Sequence, residues 1–180
     1  MKKNILVAIL TVAAVALVIV ADRSGWLERV APPAVSSSSG GFEIVDLNGG
    51  LVDLEPYKGK VVLLNYWATY CAPCLIEMPW FVGFQEQYGD RGFQVIGVSL
   101  DDEGRSLVEP WLNDQKFELD GRSVKINYPI LIGNEKASQQ YFSVFGLPTT
   151  LVINREGKIV KTFVGITSHE KFVAAIEGAL

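Results

Sequence analysis

The most constraining stretch of the sequence is an apolar run, Val61-Val62-Leu63-Leu64-Asn65-Tyr66, followed within a few residues by Cys71-Ala72-Pro73-Cys74. A short run rich in β-branched and aromatic residues reads as a buried strand. After the cysteines, Leu75, Met78, Phe81, Val82 and Phe84 recur at helical spacing, which predicts a helix to about Tyr88. Phe93 to Leu100 then forms a second long apolar run. Strand, helix, strand in that order demands a right-handed crossover between two parallel strands. The only two cysteines of the chain therefore sit at a strand-to-helix junction, two residues apart, where a redox-active dithiol is expected.

The remaining segments extend this unit on both sides. Phe42 to Leu47 and Leu51 to Leu54, around Asn48-Gly49-Gly50, read as an N-terminal β-hairpin. Glu103 to about Phe117 reads as a helix kinked or restarted at Pro110, after an acidic trio (Asp101, Asp102, Glu103) suited to capping it. Asp120-Gly121 marks a turn, Tyr128 to Ile132 a short strand and Glu135 to Phe142 a short helix. Thr150 to Ile153 and Lys158 to Val164 flank the hairpin turn Asn154-Arg155-Glu156-Gly157, and Thr167-Ser168 can cap a last helix. The expected class is α/β, with a mixed central sheet and helices on both faces.

Met1-Lys2-Lys3-Asn4 precedes an uncharged apolar stretch, Ile5 to Ala21, closed by Asp22-Arg23. Its length of about 17 residues would span roughly 26 Å as a helix, near the lower limit for crossing a bilayer. The early lysines favour a cytoplasmic N-terminus, which puts the rest of the chain on the outer side. A cleaved signal peptide is the competing reading. Against it, the stretch is long for such a segment and Ile19-Val20-Ala21 makes a poor cleavage site. Residues 1–22 are thus expected to anchor the protein in a membrane. Residues 23–41, with Pro32-Pro33 and Ser36-Ser37-Ser38-Ser39-Gly40-Gly41, form a tether, and residues 42–180 the folded domain.

A net charge of −4 and the lack of any basic run beyond the first residues argue against nucleic acid as a partner. Two cysteines and one distant histidine, His169, do not make a zinc site, so no metal is expected and His169 reads as solvated. Trp80 and Phe81 are candidates for an apolar patch near the cysteines, with helix packing claiming at least one of them.

Trp67-Ala68-Thr69-Tyr70-Cys71-Ala72-Pro73-Cys74, with Glu77, Pro79 and the late Gly146-Leu147-Pro148-Thr149, resembles the TlpA/ResA group of membrane-anchored, thioredoxin-like thiol-disulfide oxidoreductases of the bacterial cell envelope. The resemblance covers about Phe42 to Leu180. It implies a thioredoxin-like fold with a central insertion, about residues 102–133, and no cofactor beyond the redox-active Cys71–Cys74 disulfide. It further implies Leu147-Pro148 as a cis peptide against the dithiol, and a groove in which Trp67, Ala72, Pro73, Leu147 and Pro148 meet the substrate. For Trp67 a core position is the rival reading. Implied partners are a client protein with a disulfide or thiol pair (apocytochrome c or an oxidase metallochaperone in type) and a membrane thiol-transporting electron donor. The implied location is the bacterial inner membrane, with the domain facing the periplasm.

Two positions depart from the usual pattern. Tyr70 stands where the group commonly has Trp, and Asn65 stands where thioredoxin buries an Asp. Asn cannot take a proton, so a base for the buried thiol must come from elsewhere. Glu77, three residues after Cys74, shares its helical face and is the candidate; the plainer reading is an acid favoured in a first helical turn. Cys71, at the helix N-terminus, is the expected nucleophile and Cys74 the resolving thiol. A reductant is the leading expectation, since Ala72-Pro73 adds no His or Lys to stabilise a thiolate. An oxidase or isomerase with the same residues, and a copper(I)-handling module, are the alternatives. Cys71 lacks the threonine and arginine of a peroxide pocket.

Overall fold

The computed structural model describes Val45–Asp46 and residues 55–180. The anchor and tether expected over residues 1–41 lie outside the described residues. So does most of the N-terminal hairpin: only Val45–Asp46 (β1) of it is described, and this strand pairs antiparallel with a later strand at Val45↔Ile132. Among the described residues no helix is long and apolar enough to cross a membrane.

The domain is built on a six-stranded mixed sheet. Its members are β1, β2 (Val61–Trp67), β3 (Phe93–Ser99), β6 (Ile130–Ile132), β7 (Thr149–Ile153) and β8 (Ile159–Val164), in the order β1-β6-β3-β2-β7-β8. β2 runs parallel to β3 and β3 to β6, whereas β7 runs antiparallel to β2 and β8 to β7. The parallel β2–β3 pair is the one the apolar runs predict, and α1 (Ala72–Tyr88) makes the crossover.

β2 is buried on both faces, as a central strand must be, and its alternation assigns the faces. Val61, Leu63 and Trp67 join a cluster containing Cys71, Cys74, Met78 and Phe81 of the α1 side together with Phe172 and Ile176 of α4 (His169–Ala179). Val62, Leu64 and Tyr66 point to the other face, with Val98, Leu131 and Val144, where Phe142 of α3 (Glu135–Phe142) packs. Each face so covered contributes the burial of several large apolar side chains, at about 1.5–3 kcal/mol apiece.

The segment between β3 and β6 departs from expectation. A helix, α2 (Arg105–Asp114), runs unbroken through Pro110, but it stops before Phe117, which begins a strand. Phe117–Leu119 (β4) and Arg122–Val124 (β5) form a separate antiparallel hairpin. Its two-residue turn puts Asp120 at φ 50° and Gly121 at φ 75°, the left-handed pair a tight hairpin requires. The hairpin lies on the dithiol side of the sheet: Phe117 and Val124 enter the same core as Cys74, and Arg122 pairs with Glu86 of α1.

Candidate active site

Cys71 occupies the N-cap of α1 and Cys74 lies within its first turn, the two joined as a disulfide with a Cα–Cα distance of 5.3 Å. Pro73 sits in that first turn, where its missing N–H costs no helical hydrogen bond. The Cys74 and Leu75 amides both donate to the Cys71 carbonyl, at 3.0 and 3.3 Å. Unpaired amides and the helix dipole at such a terminus favour negative charge on the cap residue. Cys71 is 7% exposed and Cys74 1%, so the first sulfur is the more accessible. Tyr70 and Ala72 beside it are exposed.

The apolar stripe of α1 that faces the sheet runs through Cys74, Met78, Phe81, Val82, Phe84 and Tyr88, and Glu77 falls inside it. The carboxyl of Glu77 is fully buried. One oxygen, Oε1, accepts the Thr167 amide at 2.7 Å, while Oε2 has no partner among the described residues. Burial disfavours its ionised form and outweighs the opposing amide bond, pushing its pKa up to about 7. A carboxyl in that state can take or release a proton near neutral pH. Thr167 is therefore a partner of Glu77 and not a cap of α4; Ser168 holds the N-cap position with no side-chain capping bond to the helix backbone.

Asn65 is buried on β2, its Nδ2 donating to Thr150 Oγ1 at 3.0 Å and its Oδ1 without a partner among the described residues. Leu147-Pro148 is a cis peptide. The register Tyr66↔Thr149 sets Pro148 beside the end of β2, where the chain turns toward Cys71. Leu147 is partly buried against the core that contains both cysteines.

Trp67 does not line a groove. It is fully buried, its ring 5.2 Å from that of Trp111 on α2, and it lies across Gly97, where an added Cβ would fall 3.2 Å from its Nε1. The alternation of β2 puts position 67 on the face packed by α1 and α4, in the same core as Met78 and Phe172, which is why the core reading prevails. Phe81 is also core, whereas Trp80 is partly exposed with its ring edge-on to His169 at 5.8 Å. His169 is exposed, yet its ring also rests on Phe84 at 4.9 Å.

The acidic trio after β3 does not cap α2; its N-cap is Gly104 and no side chain bonds to that terminus. Asp102 and Glu103 are exposed, but Asp101 is 3% exposed and turned inward. Its carboxylate accepts the Thr69 amide at 3.0 and 3.1 Å, the Thr69 hydroxyl at 2.6 Å and the Ser99 hydroxyl at 2.7 Å. Sequence reasoning misses this cluster because Thr69 and Asp101 are brought together only by the β2–β3 pairing.

Comparison with known proteins agrees with this geometry. Residues 37–162 match the model of the AhpC/TSA family. The thiol-disulfide oxidoreductase ResA of Halalkalibacterium halodurans is 34% identical over 145 residues, covering 81% of this chain and 73% of that protein. ResA of Bacillus subtilis is 30% identical over 129 residues, covering 72% of this chain and 66% of that one. Among solved structures, a Chlorobium tepidum protein assigned as a thiol:disulfide interchange protein DsbE superposes with a TM-score of 0.65 at 27% identity, covering 80% of this chain and 99% of the other. The exposed lipoprotein thioredoxin of Streptococcus pneumoniae gives 0.61 at 26%, covering 77% and 99%. With a thioredoxin-like fold and a cysteine pair at the start of its crossover helix, the chain belongs to the AhpC/TSA family and, within it, to the ResA-type thiol-disulfide oxidoreductases.

Proposed function

We propose that this oxidoreductase is a reductant of client protein disulfides in the cell envelope, with Cys71 as nucleophile, Cys74 as resolving thiol and Glu77 as the proton acceptor for Cys74. The observation that carries the reading is the buried, half-satisfied carboxyl of Glu77, poised near pH 7 one helical turn from Cys74.

The thiolate of Cys71 attacks one sulfur of the client disulfide; the client S–S bond breaks, and the leaving client thiolate takes a proton. A mixed disulfide joins Cys71 to the client. Cys74 then passes its proton to Glu77, and its sulfur attacks Cys71 Sγ. The Cys71–Cys74 disulfide forms as the mixed disulfide breaks, and the second client sulfur leaves as thiolate. Two electrons have moved from the dithiol to the client. A membrane thiol-transporting donor restores the dithiol by the reverse exchange, and Glu77 returns the proton to Cys74.

The remaining positions fit a client-binding role. Ala72 and Pro73 lie on the open side of α1, and the Leu147-Pro148 loop sits at the end of β2 with Leu147 backbone groups able to pair with an extended client strand. Apocytochrome c and metallochaperone thiols suit a reductant held outside the cytoplasm, where disulfides otherwise persist. An N-terminal membrane anchor over residues 1–22 would hold the domain near its donor. The disulfide is the only redox group this chemistry needs.

The test is the equilibrium of the Cys71–Cys74 pair with glutathione. A reductant has a potential near or below about −270 mV; a value near about −120 mV makes the protein an oxidant and overturns the reading.

A further inference from the structure

The loop that carries Cys71 reaches it through Ala68, Thr69 and Tyr70, and the outer part of this loop has little packing of its own. Tyr70 is 76% exposed and Thr69 only partly buried. Two backbone bonds steady its ends: Leu100 N–H donates to Trp67 O at 2.8 Å, and Cys71 N–H to Ala68 O at 3.0 Å. The middle is held by one side chain. The Asp101 carboxylate takes both the amide and the hydroxyl of Thr69, and it is itself oriented by the Ser99 hydroxyl, whose oxygen also accepts the Asp101 amide at 3.2 Å.

Among the described residues every donor to this carboxylate is neutral: one amide and two hydroxyls. Such bonds hold a carboxylate in place without bringing an opposite charge against it. Two residues span at most about 7 Å, so Thr69, and with it the carboxylate it binds, lies near Cys71, and Asp101 and Cys71 are themselves nearly out of solvent. A fixed negative charge there disfavours the Cys71 thiolate. Stabilising the reduced form makes a dithiol more oxidising, so destabilising its thiolate makes it more reducing.

We propose that Asp101, held by Thr69 and Ser99, is a positioning residue that fixes the Cys71 loop and biases the Cys71–Cys74 couple toward the reducing side. The inference deepens the reductase reading. Either may fail alone: the absolute potential of the parent protein tests the reductase, and the difference between parent and variant tests Asp101.

The experiment measures, in the full chain, the glutathione equilibrium and the thiolate absorbance of Cys71 against pH. Asp101→Asn removes the charge and keeps the shape. It is expected to shift the equilibrium about tenfold toward the dithiol, about 30 mV more oxidising, and to lower the pH at which Cys71 ionises. Thr69→Val keeps the charge but removes its shortest donor, and is expected to move both readouts the opposite way. Thr69→Ser restores the hydroxyl and is expected to match the parent. A folded Asp101→Asn with parental potential and titration overturns the proposal, as do Asp101→Asn and Thr69→Val shifting in the same direction, which is the mark of simple loosening. Should Asp101→Asn fail to fold, an unchanged potential in Thr69→Val overturns it.

Discussion

Among the described residues two carboxylates are buried near the cysteine pair, and the fold treats them in opposite ways. Asp101, after β3, is saturated: an amide and two hydroxyls converge on its oxygens. Glu77, inside α1, is left half satisfied, with a single amide on Oε1 and nothing from the described residues on Oε2. Both are almost or wholly out of solvent, so burial alone does not separate them. The count of donors does. A saturated carboxylate is fixed in place and suits holding a loop, while an undersatisfied one sits where gaining a proton costs little and suits proton exchange.

The largest effect expected from breaking this contrast is on stability at Asp101. Asp101→Ala strands the Thr69 amide and two hydroxyls, one of them on the fully buried Ser99, and urea unfolding should show a loss of about 4 kcal/mol. Glu77 should respond with the other sign. Its pKa is higher folded, about 7, than its ordinary 4.5, so the folded protein holds the extra proton between those values. Stability of the parent should therefore fall as pH rises through that window, by up to about 3 kcal/mol, and stay low above it. Glu77→Gln, which keeps an acceptor for Thr167, should lack this fall. Equal pH dependence in the two proteins would deny Glu77 its shifted proton.

On catalysis the same variant should slow client reduction by roughly tenfold to a hundredfold at pH 7, and should lose the rate inflection near neutrality, as read by single-turnover reduction of a disulfide peptide. The smallest effect is expected at Asn65, a buried polar group on the same face of the sheet. Asn65→Ala loses one bond to Thr150, so unfolding should show a loss of about 1 kcal/mol in stability with the pH profile intact. A changed profile would mean that Asn65 takes part in the proton path.

The contrast was half legible in the sequence. Long apolar runs identify β2 and β3, and a proline in the first turn after Cys71 locates the helix start, because both signals are local. The spacing of Cys74 and Glu77 places them on one helical face for the same reason. The amide that meets Glu77 is 90 residues away, and the acceptor of the Thr69 amide 32 residues away, so neither partner leaves a mark in its neighbour's sequence. An acid after a strand reads as a helix cap, and only the inward turn of Asp101 distinguishes it from Asp102. The β4–β5 hairpin escapes notice because each strand has only three residues and Arg122 and Ser123, both exposed, show no alternation. Trp67 was recoverable: Val61, Leu63 and Trp67 share a parity, which places the ring on the same face as two strand residues of the core.

The central claim is that Glu77 carries an exchangeable proton at neutral pH. Carbon-13 NMR of glutamate-labelled protein, with Glu77→Gln to assign the resonance, reads this carboxyl directly. The account predicts a titration midpoint near pH 7 for Glu77. A midpoint near 4.5, in the ordinary carboxylate range, would contradict it.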